Sequence, residues 1–263
     1  MTDILFATTC SSVECAALVG YANEKEPPNI LVSYYYVNLF DAVRDKNNIR
    51  YGDWVMDSGG FSAWKIGAAI DLKEYTRDAK RRLRDDPSLR FVFQLDKVGD
   101  WKTSQDYAQY MWDEGVPAVP IFHLGSPPKA IDWIKDHWKG RVSIGGAVGL
   151  SDSVRIPSMR AAVAAFWPRE VHALGVASER VLDQIPFASA DASSWFSSQR
   201  YGRWAAFGQQ KLPLRGTIHK PLDVTAEIER MIRVEERPKA KSKAQLQQAK
   251  DNTQGTPSDR ARA

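Results

Sequence analysis

Eight short apolar segments rich in β-branched residues recur along the chain, and this repetition restricts the fold more than any other feature of the sequence. Several are nearly continuous apolar runs, which is typical of parallel strands covered on both faces. The segments are Ile4–Thr8, Ile30–Tyr36, Trp54–Asp57, Phe91–Asp96, Ala118–His123, Val142–Gly145, Val171–Val176 and Phe187–Ala190.

Helical patterns separate these segments. Leu72–Arg84 has charged residues around an apolar stripe, with Asp71 as a predicted N-cap. Strands that alternate with helices predict βαβ units and a parallel sheet. Eight strands in 263 residues favour closure into one (β/α)8 TIM-type barrel over an open doubly wound sheet. The other predicted helices are Ser104–Glu114, Lys129–Trp138, Ser158–Phe166, Glu179–Gln184 and Ser194–Phe207.

The composition is 43% hydrophobic and 26% charged, which is typical of a globular protein, and the net charge is +4. The two cysteines, Cys10 and Cys15, are too few for a disulfide scaffold and are interpreted as ordinary thiols. No apolar run reaches the ~20 residues of a membrane helix, and no secretory pattern opens the chain. We therefore expect a cytoplasmic protein without a membrane partner, in the host cytoplasm if the chain is phage-encoded.

The character of the chain changes near Pro238. Lysine, glutamine, serine and arginine predominate from there, and almost nothing apolar is available for burial. We predict one barrel domain over residues 1–237 and a disordered basic tail over residues 238–263. The tail is either a solvated terminus or a segment that binds phosphates non-specifically.

Three aspartates stand at the ends of predicted strands. Asp57 ends the third strand, Asp96 ends the fourth, and Asp191 follows the eighth. A single aspartate there is often only a helix cap, but three should converge on one pocket, because function in such barrels lies at the C-terminal ends of the strands. Neighbouring carboxylates push their pKa values apart, so one can stay ionised as a nucleophile while another holds a proton. Two carboxylates equally suit glycoside hydrolysis.

Other polar candidates are fewer. His123 ends the fifth strand and is a candidate ligand contact, whereas His137, His172 and His219 are predicted to be surface or packing residues. No His, Cys and Asp cluster has metal-ligand spacing, and the Gly59-Gly60 pair lacks the spacing of dinucleotide binders. The sequence therefore predicts neither a metal nor another cofactor.

The segment Asp57-Ser58-Gly59-Gly60-Phe61 resembles the Asp-Ser-Gly-Gly-Phe motif of the tRNA-guanine transglycosylases. The order of the later strand ends is also similar to that family's, and the resemblance spans about Val55 to Trp195. In this family an aspartate attacks the anomeric carbon of a nucleotide and displaces guanine. A covalent glycosyl-enzyme forms, and a 7-deazaguanine then takes the place of guanine.

The resemblance implies a role for each strand end. Asp191 corresponds to the nucleophile, and Asp57 to the second carboxylate, which manages a proton on the leaving or entering base. Asp96 corresponds to the residue that accepts hydrogen bonds from the N–H edge of the base. The remaining residues implied to bind the base are Ser58, Gly59, Phe61, His123, Gly145, Gly146, Leu174 and Gly175.

The chain departs from the tRNA enzymes after Asp191. Those enzymes carry a zinc site of three Cys and one His there, whereas Cys15 is the last cysteine in this chain. These departures favour the phage and bacterial DNA-guanine transglycosylases, whose partners are DNA and a free 7-deazaguanine base. The sequence leaves open whether the protein forms a homodimer or binds another protein. The alternatives are the same exchange on tRNA, a carboxylate-dependent glycosidase, and a non-catalytic nucleic-acid-binding barrel.

Aromatic and basic residues follow Asp191. A target base must leave the duplex to reach such a pocket, so contacts around the mouth should stabilise the opened strand. Aromatic side chains stack on bases and arginines bind phosphates, which makes Trp195, Arg200 and Arg203 the predicted nucleic-acid contacts. The competing interpretation is a helix packed on the barrel with its aromatic side chains in the core.

Overall fold

Eight parallel strands form one sheet in the computed structural model, which describes residues 2–176, 178–196, 228–229 and 231–232. The strand order is β4-β3-β2-β1-β8-β7-β6-β5. The strands are β1 Asp3–Thr8, β2 Ile30–Ser33, β3 Trp54–Asp57, β4 Leu89–Val92, β5 Ile121–His123, β6 Val142–Gly145, β7 Val171–Ala173 and β8 Ser189–Ala192.

The sheet curls so that its two outer strands, β4 and β5, meet. An isolated parallel bridge joins Phe93 to Val119 just beyond β4 and before β5. The N–H of Val119 donates to the carbonyl of Val92 over 2.8 Å, and the N–H of Gln94 donates to the carbonyl of Val119 over 3.0 Å. The predicted α/β TIM-type barrel is confirmed.

Helices lie between the strands. Asp71 accepts the N–H of Glu74 over 2.8 Å at the start of the fourth helix, which confirms the predicted cap. The helices are α1 Ser12–Ala22, α2 Val37–Asp45, α3 Gly60–Lys65, α4 Leu72–Asp85, α5 Trp101–Asp113, α6 Pro128–His137, α7 Asp152–Phe166 and α8 Glu179–Leu182, with short 3-10 helices at Tyr34–Tyr36 and Ser194–Phe196. None of these helices combines the length and the apolar character needed to cross a membrane.

Helix α7 begins six residues earlier than predicted and contains Pro157. A proline in a helix removes one backbone hydrogen bond, so the sequence predicted a start after it. Burial on the apolar face of α7 favours the longer helix, since Ile156 is 7% exposed and Met159 fully buried. The predicted continuation of the last helix to residue 207, and the basic tail, lie outside the described residues.

Strand alternation decides which side chains enter the barrel. Leu31 of β2 is in register with Val55 of β3 and with Ala7 of β1, which lies two residues after Leu5 on the same face. The interior apolar layer consists of Leu5, Leu31, Val55, Phe93, Val119 and Ile121. Asp191 is in register with Leu5 and therefore also points inward. On the opposite wall Ser143, His172 and Ser189 are paired in register across β6, β7 and β8, so this part of the interior is polar.

The outer faces of the strands pack against the helices in a larger apolar core. Cys10 and Cys15 are buried free thiols beside it, as expected of ordinary cysteines. Burial is the main reason that the pKa of the Cys10 thiol rises to about 12 and that of Cys15 to about 11. Both thiols are therefore poor nucleophiles.

Candidate active site

The three strand-end aspartates meet at one end of the barrel. Burial raises the pKa of Asp57 to about 7, and the charges of Asp96 and of Asp191 contribute to this rise. Both carboxylates thus lie within electrostatic reach of Asp57, although Asp191 stands on a strand that is not adjacent to β3. This cluster of like charges is the arrangement that proton transfer beside a nucleophile requires.

The loop after β3 fixes Asp57 and packs against Asp96. The N–H of Gly59 donates to Oδ2 of Asp57 over 3.0 Å. Gly59 has a φ of +77°, and a Cβ there would lie 2.8 Å from Oγ of Ser33. At Gly60 a Cβ would lie 2.6 Å from Oδ1 and 2.7 Å from the carbonyl of Asp96. Gly59 therefore lets the backbone approach the end of β2 closely, and Gly60 lets it approach the segment after β4.

Asp96 has a polar partner on each side. Its Oδ1 accepts the hydroxyl of Ser58 over 3.1 Å, and its Oδ2 lies 3.0 Å from Nε2 of His123. The second contact has the distance of an ion pair but not the angle of a hydrogen bond, and Nε2 is a buried atom without a hydrogen-bond partner in the described part of the chain. Asp96 and His123 are therefore in close contact without a hydrogen bond between them.

Asp191 is held by two donors on one oxygen. Its Oδ1 accepts Nε2–H of His172 over 3.0 Å and the backbone N–H of Gly175 over 2.8 Å. The side chain is only 7% exposed, so the carboxylate is fixed rather than free to rotate. Both hydrogen bonds use Oδ1, which leaves Oδ2 without a hydrogen bond from the described residues.

His172 is the site residue that sequence reasoning missed. It is fully buried, as a packing residue would be, and its ring lies 5.1 Å from that of Phe93. Its Nδ1 also lies 2.8 Å from Oγ of Ser189. When Ser189 donates to Nδ1, the imidazole is neutral and carries its proton on Nε2, where it donates to Asp191. Its role therefore extends beyond packing.

Glycines lie at the β6 and β7 side of the carboxylate cluster. A Cβ on Gly145 would lie 3.1 Å from Nδ1 of His123, and one on Gly146 would lie 3.2 Å from the backbone N of Leu124. Leu174 packs on the interior apolar layer next to Gly175. These strand ends thus adjoin the residues that hold Asp96 and Asp191, and the base-contact roles assigned to them stay predictions.

The remaining predicted positions are not part of the carboxylate cluster. Trp195 is fully buried, and its indole N–H donates to the carbonyl of Ala7 over 2.9 Å, so the prediction that it contacts nucleic acid is wrong and it belongs to the core. Arg200, Arg203 and His219 lie outside the described residues.

Two further predicted positions are exposed. Phe61, on α3, is 45% exposed. His137 is exposed and stacks on Trp133, as expected of a surface residue.

A cavity of about 530 Å³ lies between α2 and α4, and none of the three strand-end aspartates lines it. Arg82 is buried at its edge and binds Asp41 and Asp78, with closest distances of 2.6 Å and 2.5 Å. These partners neutralise its charge, so the network is a structural one. Within the described ranges, no group of three His, Cys, Asp or Glu side chains is arranged to hold a metal ion.

The raised pKa of Asp57 predicts a pH-dependent stability. Between pH 4 and pH 7 the folded chain keeps a proton on Asp57 that the unfolded chain has lost, so the free energy of unfolding falls as pH rises through this window. Asp57→Asn stays neutral throughout. The wild type loses stability between pH 5 and pH 8 and the variant does not. We therefore expect the free energy of unfolding of the variant minus that of the wild type to be larger at pH 8 than at pH 5 by about 2 to 3 kcal/mol.

Urea denaturation at pH 5 and pH 8 measures this difference. The matched control is Asp136→Asn, an exposed carboxylate on α6, whose stability should follow the wild type within about 0.5 kcal/mol at both pH values. Equal pH dependence in the wild type and Asp57→Asn would show that Asp57 ionises freely in the folded protein.

The chain matches no model of a protein family, and no curated protein matches it in sequence. One solved structure that it resembles is a crystal structure assigned as a fructose-1,6-biphosphate aldolase of Coccidioides immitis. The two chains are 11% identical, and the alignment covers 95% of this chain and 88% of that chain with a TM-score of 0.44. A likeness at this level says nothing about the substrate.

Proposed function

We propose that this barrel exchanges guanine in DNA for a 7-deazaguanine base through a covalent glycosyl-aspartate. The observation that carries the proposal is the pairing of a protonatable Asp57, with a pKa of about 7, and an Asp191 whose Oδ1 is fixed by two donors. In the proposed reaction this pair supplies a proton donor and a nucleophile, and the Asp57–Phe61 motif resembles that of guanine transglycosylases.

The exchange proceeds in two displacements at C1′ of the target nucleotide. Oδ2 of Asp191 attacks C1′, the bond from C1′ to the base nitrogen breaks, and guanine leaves with a proton from Asp57. The entering 7-deazaguanine then attacks C1′ through its ring nitrogen, passes the proton of that nitrogen to Asp57, and releases Asp191. The protein returns to its starting state, so no cofactor is consumed.

Selection of guanine is assigned to Asp96. A carboxylate only accepts hydrogen bonds, and guanine presents N–H donors at N1 and at its exocyclic amine. Adenine has an acceptor at N1, which would face the carboxylate without a hydrogen bond. Ser58 holds one oxygen of Asp96 by its hydroxyl, and His123 lies beside the other. Both contacts keep the carboxylate directed at the base.

One incubation distinguishes the candidate reactions. The protein is mixed separately with DNA and with tRNA, each with tritium-labelled 7-deazaguanines, and the nucleic acid is digested to nucleosides. Label in a deoxynucleoside supports the proposal, and label only in tRNA would transfer the same chemistry to the tRNA reaction. Release of free guanine without added base in an amount well above that of the protein would identify a water-dependent glycosidase, because formation of the covalent intermediate releases only one guanine per protein molecule. The Asp191→Asn variant is the inactive control for this incubation.

His172 gives a separate prediction, since it acts on the reaction only through Asp191. His172→Phe fills the buried space without a donor, and we expect kcat to fall about 100-fold because the nucleophile is no longer held in a fixed orientation. His172→Gln can place an amide N–H near the former Nε2 and should recover most of this activity. The KM for the entering base should change less than about threefold in both variants.

Single-turnover and steady-state kinetics provide the measurement, with thermal unfolding to show that each variant is folded. A Phe variant as active as the wild type would remove His172 from the mechanism. Equally reduced activity in folded Phe and Gln variants would indicate a packing role only.

A further inference from the structure

The mouth of the barrel carries aromatic and basic side chains, most of them exposed, over three neighbouring strands. These side chains follow β3, β4 and β5, next to Asp57, Asp96 and His123. We call the surface the β3–β5 rim, and it comprises Phe61, Trp64, Lys65, Lys97, Trp101, Lys102 and Lys129.

The aromatic part of the β3–β5 rim is a preformed stack. Phe61 is 45% and Trp64 57% exposed, although both are large apolar side chains. Their ring centroids lie 6.0 Å apart with the planes at 27°, and Nζ of Lys65 lies 4.6 Å from the Phe61 centroid. An exposed aromatic pair beside a cation presents a flat apolar surface that another ring can cover.

The basic part continues along the same rim. Lys97, Lys102 and Lys129 are exposed, and the ammonium groups of the last two lie 5.9 Å and 5.4 Å from the ring of Trp101. The acidic residues Asp71 and Asp100 on these loops cap α4 and α5, so their carboxylates face helix N-termini. The outward charge of the β3–β5 rim is therefore positive.

We propose that the β3–β5 rim binds the unpaired DNA strand beside the target nucleotide. A neighbouring base stacks on the Trp64–Phe61 pair, and the lysines contact the phosphates. Stacking platforms interleaved with cations are how proteins hold single strands without reading their sequence. The identity of the strand as DNA rests on the proposed function, whereas the binding surface does not.

The rim sits where an opened strand has to pass. Helix α3, which carries Phe61 and Trp64, begins at Gly60, and Gly60 packs directly on Asp96. A nucleotide whose base occupies the carboxylate pocket therefore has its neighbour over α3. This neighbour is left without its own stacking partner when the target base leaves, and the aromatic pair replaces that partner.

Binding is measured with a fluorescein-labelled single-stranded DNA oligonucleotide by anisotropy, without any 7-deazaguanine. Trp64→Leu should bind about tenfold more weakly, and Trp64→Phe, which keeps an aromatic ring, should bind within about threefold of the wild type. With 2-aminopurine next to the target guanine, its fluorescence should be quenched on binding to the wild type and to Trp64→Phe but not to Trp64→Leu.

The lysines are tested through salt dependence. The double variant Lys97→Ala and Lys102→Ala should lower the slope of log Kd against log salt concentration by about 1.4, which is about 0.7 for each phosphate that is no longer neutralised. The matched control is the double variant Lys46→Ala and Lys135→Ala, because these exposed lysines lie at the C-terminal ends of α2 and α6, away from the mouth. The control should keep the wild-type slope.

Wild-type affinity and slope in the rim variants would overturn the proposal, as would equal effects in the control pair. Effects seen only with an RNA oligonucleotide of the same sequence would overturn DNA as the occupant. Because Asp191→Asn keeps the rim, the same binding defects measured in that background separate this surface from the chemistry. Binding through the rim without any base exchange would refute the proposed function alone.

Discussion

Replacement of Asp191 by Asn is expected to abolish base exchange, with kcat/KM lower on the order of 10⁴-fold or more. The amide keeps an oxygen that accepts from His172 and Gly175, so the buried hydrogen bonds of Asp191 survive. What disappears is the nucleophilic Oδ2, and without it no covalent bond to C1′ forms. Asn is preferable to Ala, because Ala would leave the buried His172 donor unpaired at a cost of about 1 to 3 kcal/mol.

The covalent intermediate provides the direct measurement. Wild-type protein mixed with a guanine-containing oligonucleotide and quenched in denaturant should show a fraction cross-linked to DNA, and added 7-deazaguanine should discharge it. Asp191→Asn should show no such species while unfolding cooperatively like the wild type. A cross-link in this variant would move the nucleophile to another residue.

Replacement of Asp57 by Asn is expected to lower exchange by about 10²- to 10⁴-fold, which is the usual contribution of a positioned acid or base. The pKa of about 7 gives the two half-reactions opposite pH dependences. Guanine release needs the protonated acid, so formation of the intermediate should slow above pH 7. Attack by the entering base needs the carboxylate, so that step should slow below pH 7.

Rapid-quench kinetics of each half-reaction between about pH 5.5 and pH 8.5 test this assignment. The wild type should show a falling limb for intermediate formation and a rising limb for its discharge, and Asp57→Asn should show neither. Binding of the oligonucleotide should stay unchanged in the variant, which separates proton transfer from recognition. Parallel pH profiles for both half-reactions would argue against a single residue that alternates between acid and base.

The strand pattern of this barrel is readable from the sequence because its parallel strands are buried on both faces. The predicted bounds of β3, Trp54–Asp57, and of β6, Val142–Gly145, are those of the structure. The convergence of the three aspartates follows from the same reasoning, since parallel strands bring their C-terminal ends to one edge. Their chemical roles remain predictions, because geometry shows proximity and not reactivity.

The missed features have physical reasons. Helix α1 consists mostly of small and apolar residues, so it lacks the polar face that marks an amphipathic helix, and only its Ser11–Glu14 capping box signals it. His172 lies two residues before Leu174, and a buried histidine on a strand is usually satisfied by packing and one hydrogen bond. Its hydrogen bond to Asp191 depends on the register of β7 against β8, which a sequence does not show.

The junction between β4 and β5 rests on one bridge between Phe93 and Val119, whereas β3 pairs with β2, and β8 with β1, along their length. Asp96 and His123 stand on opposite sides of this sparse seam. Widening it would separate Asp96 from His123 and leave Asp57 and Asp191 in place. If the proposed base exchange holds, substitutions beside this seam are therefore expected to admit entering bases with bulkier substituents without changing the two carboxylates.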